Sequence, residues 1–353
     1  MKDSGLFRVG IAIAVVLLFA ASFAFAGGQG EGEGGQAGDA EDIHIGFSTV
    51  AMNAPYYVAM DRAAKETAER LGARITVINA DNDISKQIDD INNLLVQGID
   101  GLVVNSTTEY GTQPVIKQVV AQGIPVVAID RNLYGDYIAY VGIDQWKAGV
   151  LQGEYISGEL LPDGGNIVLL AGDPGGPANI GRMQGMQSVL EREENAGKYN
   201  ILGTYAAYYN RSEALTKMEE AIAAHGDNID LVYAANDSMA LGAMEALREA
   251  GMSDVMLAGV DGQKEAYEAI KDTDQYMSTI VNDSWVITQI AVRILHDYLV
   301  QGQDPAEVVE ELKSEDDIFE RTIELRDGKE VITGTVLVTE ENVDDFYDPD
   351  SVF

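Results

Sequence analysis

The stretch 231-LVYAANDSMALGAMEAL-247 changes character at one polar pair, Asn236-Asp237. Before the pair, Leu231, Val232 and Tyr233 make a short apolar run of β-favouring residues, long enough for a buried strand and too short for a helix. After it, Met239, Leu241, Met244, Ala246 and Leu247 recur at helical spacing, with Asp237 or Ser238 available to cap the first turn. The stretch is therefore read as a strand-to-helix junction. In an open α/β sheet ligands bind beyond the carboxyl ends of the strands, so an amide and a carboxylate at this junction are expected to face a crevice. The alternative for Asp237 is a cap alone.

Working outward, the same grammar repeats. Apolar runs at 43–47, 75–78, 102–104, 126–129 and 138–141 alternate with helical patterns at 55–71, 84–97 and 115–122. The order begins again with runs at 167–170, 201–205, 231–233 and 256–260, alternating with helical patterns at 180–193, 211–224, 239–250 and 264–270. Strand-helix alternation means parallel sheets covered on both faces, so the expected class is α/β in two similar lobes. After Met277 the chain reads as a strand, a helix from about 284 to 301, and a later β-like stretch from 331 to 338.

Polar residues stand at the strand ends. Asp130-Arg131 follows Val126-Val-Ala-Ile129, Asp261-Gly262 follows Val260, and Asn105 precedes Asn236 by the same 131 positions that separate Asp130 from Asp261. A carboxylate accepts from hydroxyls while a guanidinium donates in a planar fork, which suits a polyol; a surface ion pair is the alternative for Asp130-Arg131. In 48-STVAMNAPYY-57 a strand ends, Pro55 opens a helix, and Tyr56 and Tyr57 follow in the first turn, where flat rings can cover the C–H face of a sugar.

These words, AANDSMALGA with VDG at 260–262 and IDR at 129–131, resemble the periplasmic ribose-binding-protein family, the solute-binding subunits of sugar ABC importers, from about residue 43 to about 340. The resemblance implies a ligand site between the lobes formed by Tyr56, Tyr57, Asp130, Arg131, Arg182, Tyr209, Asn236, Asp261 and Asn282, with Asn53 matching the amide before the Pro. It also implies three passages of chain between lobes, near 143, 282 and about 315. The first lobe would then hold 43–143 with about 283–315, and the second 144–282 with about 316–353. Asn282 stands where ribose binders carry Gln, Val260 where they carry an aromatic, and Ile143 where they carry a small hydroxyl residue. Those departures lie in the expected pocket wall and leave ribose-like pentoses, hexoses and polyols open.

Composition narrows the rest. The 353 residues carry 58 Asp and Glu against 23 Lys and Arg, a formal net charge of -35, which argues against nucleic acid and anionic membrane as partners. No cysteine occurs, so disulfides, thiolate chemistry and a lipid-modified cysteine anchor are excluded. Lys2 and Arg8, the apolar run Val9 to Ala21, and Ala24-Phe25-Ala26 read as an export signal cleaved after Ala26, the alternative being a membrane anchor. Residues 27–42 read as a flexible Gly- and Glu-rich leader, and the expected location is the periplasm.

No enzyme chemistry is expected. The glycine-rich 170-LAGDPGGPANIG-181 lacks the phosphate-loop pattern, DNDIS at 81–85 lacks the glycine and Glu of a calcium loop, and His44, His225 and His296 show no ligand spacing. Neither cofactor nor metal is expected. A membrane permease is the implied partner. A furanone signal, a chemoreceptor-presented sugar, a sugar-active enzyme and a regulator's effector domain are the competing readings.

Overall fold

The apolar runs become strands and the 3.6-period stretches become helices in a computed structural model, which describes residues 43–349 apart from 109 and 316–322, together with 351 and 353. The expected export signal and leader lie outside the described residues. In the first lobe, strands β1 (His44–Thr49), β2 (Arg74–Asn79), β3 (Gly101–Val104), β4 (Val126–Ile129) and β5 (Ala139–Gly142) alternate with helices α1 (Pro55–Leu71), α2 (Ile84–Val96) and α3 (Gln113–Ala121). Each helix start has a local cause. Pro55 occupies the first turn of α1, and the Asp83 carboxylate accepts from the Ser85 and Lys86 N–H groups at α2.

The strands read as continuous apolar runs because both faces are buried. Val103, Val127 and Ile129 pack with α1, while their neighbours Leu102, Val104, Val126 and Ala128 face the opposite core under α2 and α3.

The second lobe repeats the plan. Helix α4 (Gln145–Tyr155) is followed by a π-helical turn, Ile156–Leu160. Then come β6 (Gly165–Ala171), α5 (Pro177–Leu190), β7 (Tyr199–Ala206), α6 (Arg211–His225), β8 (Leu231–Ala234), α7 (Asp237–Glu249), β9 (Met256–Ala258), α8 (Lys264–Asp272) and β10 (Tyr276–Ile280). The chain then returns to the first lobe as α9 (Ser284–Gln301) and α10 (Pro305–Glu315), and adds β11 (Glu324–Arg326) and β12 (Glu330–Ile332) to its sheet before β13 (Leu337–Val338). The sheet orders are β11-β12-β5-β4-β3-β1-β2 and β13-β10-β9-β8-β6-β7. The first five strands of each lobe run parallel in one doubly wound order, so the carboxyl ends of β1, β3 and β4 face those of β6, β8 and β9 across a cleft.

Two expectations need correcting. The third passage between lobes is not near 315: β12 pairs with β5 in the first sheet and β13 with β10 in the second, so the chain crosses at 333–336. The segment 323–332 accordingly belongs with the first lobe, and the β-like stretch 331–338 is two strands in two sheets. The three passages are knit together, Thr333 N–H donating to Gly142 O at 2.8 Å and Val281 N–H to Val336 O at 2.9 Å.

Helix α4 has no counterpart in the sequence reading, because it buries glycines where a core helix ordinarily buries large side chains. It lies so close to α5 that a Cβ on Gly149 would stand 2.2 Å from Arg182 O. Gly149→Ala is therefore expected to lower stability by about 1–3 kcal/mol through overpacking. Urea unfolding checks it; a loss under about 0.5 kcal/mol would mean that the two helices separate freely.

Candidate functional site

Asp130 follows β4 and Asp261 follows β9, each on a left-handed backbone, with φ of 62° and 131°. Such angles cost a non-glycine residue on the order of 1–2 kcal/mol and persist only where the surroundings hold them. Each residue is held at both its N–H and its carbonyl. Asp130 N–H donates to Val141 O and Asp261 N–H to Ile280 O, both at 2.8 Å, from the neighbouring strand. Their carbonyls accept in turn from the Tyr140 hydroxyl at 2.9 Å and from Asn282 N–H at 3.0 Å. Both side chains are thereby aimed into the cleft.

A hydrogen-bonded chain joins the two acids. The Tyr56 hydroxyl donates to Asp130 Oδ1 at 2.8 Å and accepts from Asn282 Nδ2 at 3.1 Å. Asn282 Nδ2 also lies 3.3 Å from Asp261 Oδ1. Arg182 completes the chain: its Nη1 donates to Asp261 Oδ1 at 3.0 Å and to Ala235 O at 2.7 Å, and its Nε to Gln145 Oε1 at 2.7 Å. Beside it, Arg131 donates to the Tyr57 hydroxyl at 3.2 Å and to Thr107 O at 3.3 Å, and its guanidinium lies 5.8 Å from the Tyr209 ring centre on the opposite lobe.

The lobes close tightly here: the chamber that these side chains line leaves only about 30 Å³ of room for water-sized molecules. Every residue in the expected set lines it except Asn53, with Ala54 and Ala178 filling the wall. Asn53 is exposed and lines an outer cavity with Tyr208, Asn210 and Arg211, because the loop before Pro55 carries it past the inner chamber. The polar pair that opened the reading also divides. Asn236 lines the chamber and is itself the helix cap, its Oδ1 accepting from Met239 N–H at 3.0 Å. Asp237, expected at the crevice or as a cap, is fully buried inside the second lobe, where it accepts from Tyr276, Thr279 and Gln263.

Two supporting residues escaped the sequence reading as site residues. Asn105 is buried, with Nδ2 3.3 Å from Asp130 Oδ2; its place after β3, in step with Asn236 after β8, was the available signal. Gln145, which orients Arg182, sits at the start of the unread helix α4 and gave none.

The electrostatics are those of a dry polar pocket. Burial pushes the Asp261 carboxyl up to about 7 against the pull of Arg182. Burial alone would lower the two guanidiniums, but Asp261 carries Arg182 upward and the Tyr57 and Tyr209 hydroxyls carry Arg131 upward, so both stay charged. Burial also raises the Tyr56 and Tyr209 hydroxyls, which therefore remain donors at neutral pH. The Tyr209 hydroxyl and Asn282 Oδ1 are buried and make no hydrogen bond within the protein. A buried polar atom without a partner costs about 1–3 kcal/mol, a cost that a small molecule's hydroxyl would remove. The chamber thus offers carboxylate acceptors, guanidinium, amide and phenol donors, and aromatic faces to one compact polar molecule.

Residues 45–304 match the family model described as periplasmic binding protein domain. The ribose import binding protein RbsB of Bacillus subtilis (strain 168) is 31% identical over 264 residues, 74% of this chain and 84% of that protein. An ABC transporter solute binding protein from Mycobacterium smegmatis with bound glycerol superposes with a TM-score of 0.76 at 33% identity, covering 88% of this chain and 98% of that one. The Caulobacter myo-inositol binding protein bound to myo-inositol superposes with a TM-score of 0.75 at 26% identity, covering 86% and 95%. Among the described residues no helix is long and apolar enough to cross a membrane.

Proposed function

Since the chain belongs to the periplasmic binding protein family, we propose that it is the solute-binding component of an ABC importer and takes a monosaccharide or small polyol into the chamber between its lobes. The observation that carries this reading is the pair of carboxylates, Asp130 and Asp261, presented from opposed lobes into one chamber with Arg131, Arg182 and three tyrosines. In the proposed mode each carboxylate accepts from ligand hydroxyls, Arg131 and Arg182 donate to ring or hydroxyl oxygens, and Tyr57 and Tyr209 cover C–H faces. The hydroxyl of Tyr209 and Oδ1 of Asn282 gain the partners that they lack. Contacts come from both lobes, so binding favours the closed arrangement that a permease would recognise. The relatives named above support a sugar or polyol and give no support to a furanone or a chemoreceptor-presented ligand. Export with cleavage after Ala26 completes the proposal, and amino-terminal sequencing of periplasmic material tests it.

A thermal-shift panel of pentoses, hexoses, inositols and furanones tests the function. One sugar or polyol is expected to raise the melting temperature, and no response across the panel would sink the reading. With that compound, Asp130→Ala is expected to weaken binding by about 1.5–3 kcal/mol, roughly ten- to a hundredfold or somewhat more. Calorimetry measures it, and wild-type affinity in the variant would rule out the chamber as the site.

The raised Asp261 adds a pH signature. A hydroxyl donating to this carboxylate favours its ionised form, so ligand lowers its affinity for the proton and the proton leaves on binding. Affinity is expected to climb as pH rises toward about 7 and to level off above it. Calorimetric heats at pH 6 should then depend on the buffer's ionisation enthalpy; identical heats in buffers of different enthalpy would show that Asp261 binds no proton there.

A further inference from the structure

Beyond the three passages of backbone and the contacts across the chamber, a further side chain ties the lobes together. Val343, Phe346 and Tyr347 pack on the core of the second lobe. The Tyr347 hydroxyl donates to Glu268 of α8, Lys271 pairs with Asp344, and Lys264 donates to Pro349 O. This much of the segment belongs to the second lobe. Phe353 does not: it is 7% exposed and sits in the apolar core of the first lobe. Its ring meets the Tyr56 ring edge-on, with centroids 5.4 Å apart and planes at 74°. Tyr57 meets the same Tyr56 ring edge-on at 5.5 Å and 87°. Tyr56 is thus held between two perpendicular rings, and its hydroxyl is the link between Asp130 and Asn282.

We infer that Phe353 is a positioning residue for Tyr56 and a releasable fourth connection between the lobes, so that its seating favours the closed arrangement. The three backbone passages are covalent and stay joined in any arrangement, whereas this connection is a packing contact that can open. If the first lobe rotates away from α8, either Phe353 leaves its socket beside Tyr56 or the 343–349 segment peels from α8. Both cost apolar burial and aromatic contact. An aromatic pair contributes enough to change a closed-to-open ratio by roughly two- to tenfold. Seating of Phe353 and the alignment of Tyr56 are one event, which makes the chamber's inter-lobe link depend on a side chain that is not itself part of the chamber lining.

The absence of cysteine makes the test clean, because two introduced cysteines take spin labels at chosen places only. Val96, 87% exposed on α2, and Glu249, exposed at the end of α7, report on the two lobes in Val96→Cys/Glu249→Cys protein. Pulsed dipolar spectroscopy of this full chain without ligand gives the inter-lobe distance distribution. Phe353→Ala is expected to shift population out of the parent distribution by roughly two- to tenfold, and Phe353→Tyr, which keeps the ring, to leave it in place. Phe353→Leu keeps apolar bulk without the ring and gives the answer if the alanine variant does not fold; it is expected to shift in the same direction. Parent-like distributions in both Phe353→Ala and Phe353→Leu would overturn the inference. So would a lower melting temperature with an unchanged distribution, since that is all that a merely structural residue would produce. The readout needs no sugar, so its failure is separate from failure of the proposed function.

Discussion

Asp261→Ala is expected to lower the stability of the folded chain by about 3 kcal/mol at pH 8, where the carboxylate is ionised. The pair that it breaks is buried on both sides, with side-chain exposures of 3% for Arg182 and 5% for Asp261. Removing one partner of a buried pair leaves the other charge uncompensated, at a cost of about 3–5 kcal/mol. The lower end applies because Arg182 keeps two bonds, to Ala235 O and Gln145 Oε1.

The pH dependence sharpens this expectation. The folded chain holds the Asp261 proton more tightly than the unfolded chain, whose carboxyl titrates near 3.8. More protons bound in the folded state means that stability falls as pH rises from about 4 through about 7 and is flat in this group above that. Asp261→Ala should remove that slope. Urea unfolding between pH 4 and 8 with an unchanged m-value measures both effects. Stability within about 1 kcal/mol of the parent at pH 8 would show that solvent reaches Arg182 freely, and the dry-chamber account would fail with it.

How far residues alone carried this description depends on which physical signal each element left. The strands were legible because both faces of a parallel sheet are buried, leaving apolar runs such as Val126 to Ile129 with no polar interruption. The acids of the chamber were legible because a carboxylate directly after such a run, at Asp130 and Asp261, has the cleft in front of it. Helix α4 was not legible, since Ala148, Gly149 and Gly153 on its buried face allow backbone approach to α5 and leave no apolar stripe. With α4 unread, Gln145 and its hold on Arg182 were out of reach.

Two further failures have a common cause. The β-like stretch from 331 to 338 is unbroken as a pattern, but hydrogen bonding divides it between two sheets, and strand-forming residues do not record which neighbour a strand pairs with. In the same way, two adjacent polar residues at a strand end are equivalent in composition while one turn of φ and ψ sends them in opposite directions. Asn236 has an extended backbone, φ -154° and ψ 167°, and faces the chamber as the cap; Asp237 begins the helix and points inward. Reading the carboxylate as a crevice group was chemically sensible and geometrically one residue off.

That displacement yields the other large expected effect: Asp237→Ala should cost about 4 kcal/mol of stability, several times the roughly 1 kcal/mol that loss of a helix cap costs. Burial pushes the Asp237 carboxyl up, and bonds from Gln263 N–H, Thr279 and Tyr276 oppose the rise. The distances are 2.8 Å from Gln263 N and 2.8 Å each from the Thr279 and Tyr276 hydroxyls. All three donors would be stranded in a dry interior by alanine, at about 1–3 kcal/mol each before the site relaxes. The carboxylate is closely packed, since a Cβ on Gly259 would stand 2.2 Å from Asp237 Oδ1 and 2.3 Å from the Tyr276 hydroxyl. The damage should also reach the chamber. Gln263 follows Asp261 by two residues, and Asp237 N–H donates to Val260 O at 2.7 Å, so Asp237 holds both flanks of the left-handed turn that presents Asp261. Asp237→Asn, which keeps one acceptor and the shape, should cost less than half as much. Urea unfolding of both variants, with calorimetry using the compound that raises the parent's melting temperature, gives the decision: an alanine variant that loses only about 1 kcal/mol and binds normally would return Asp237 to the role of a cap.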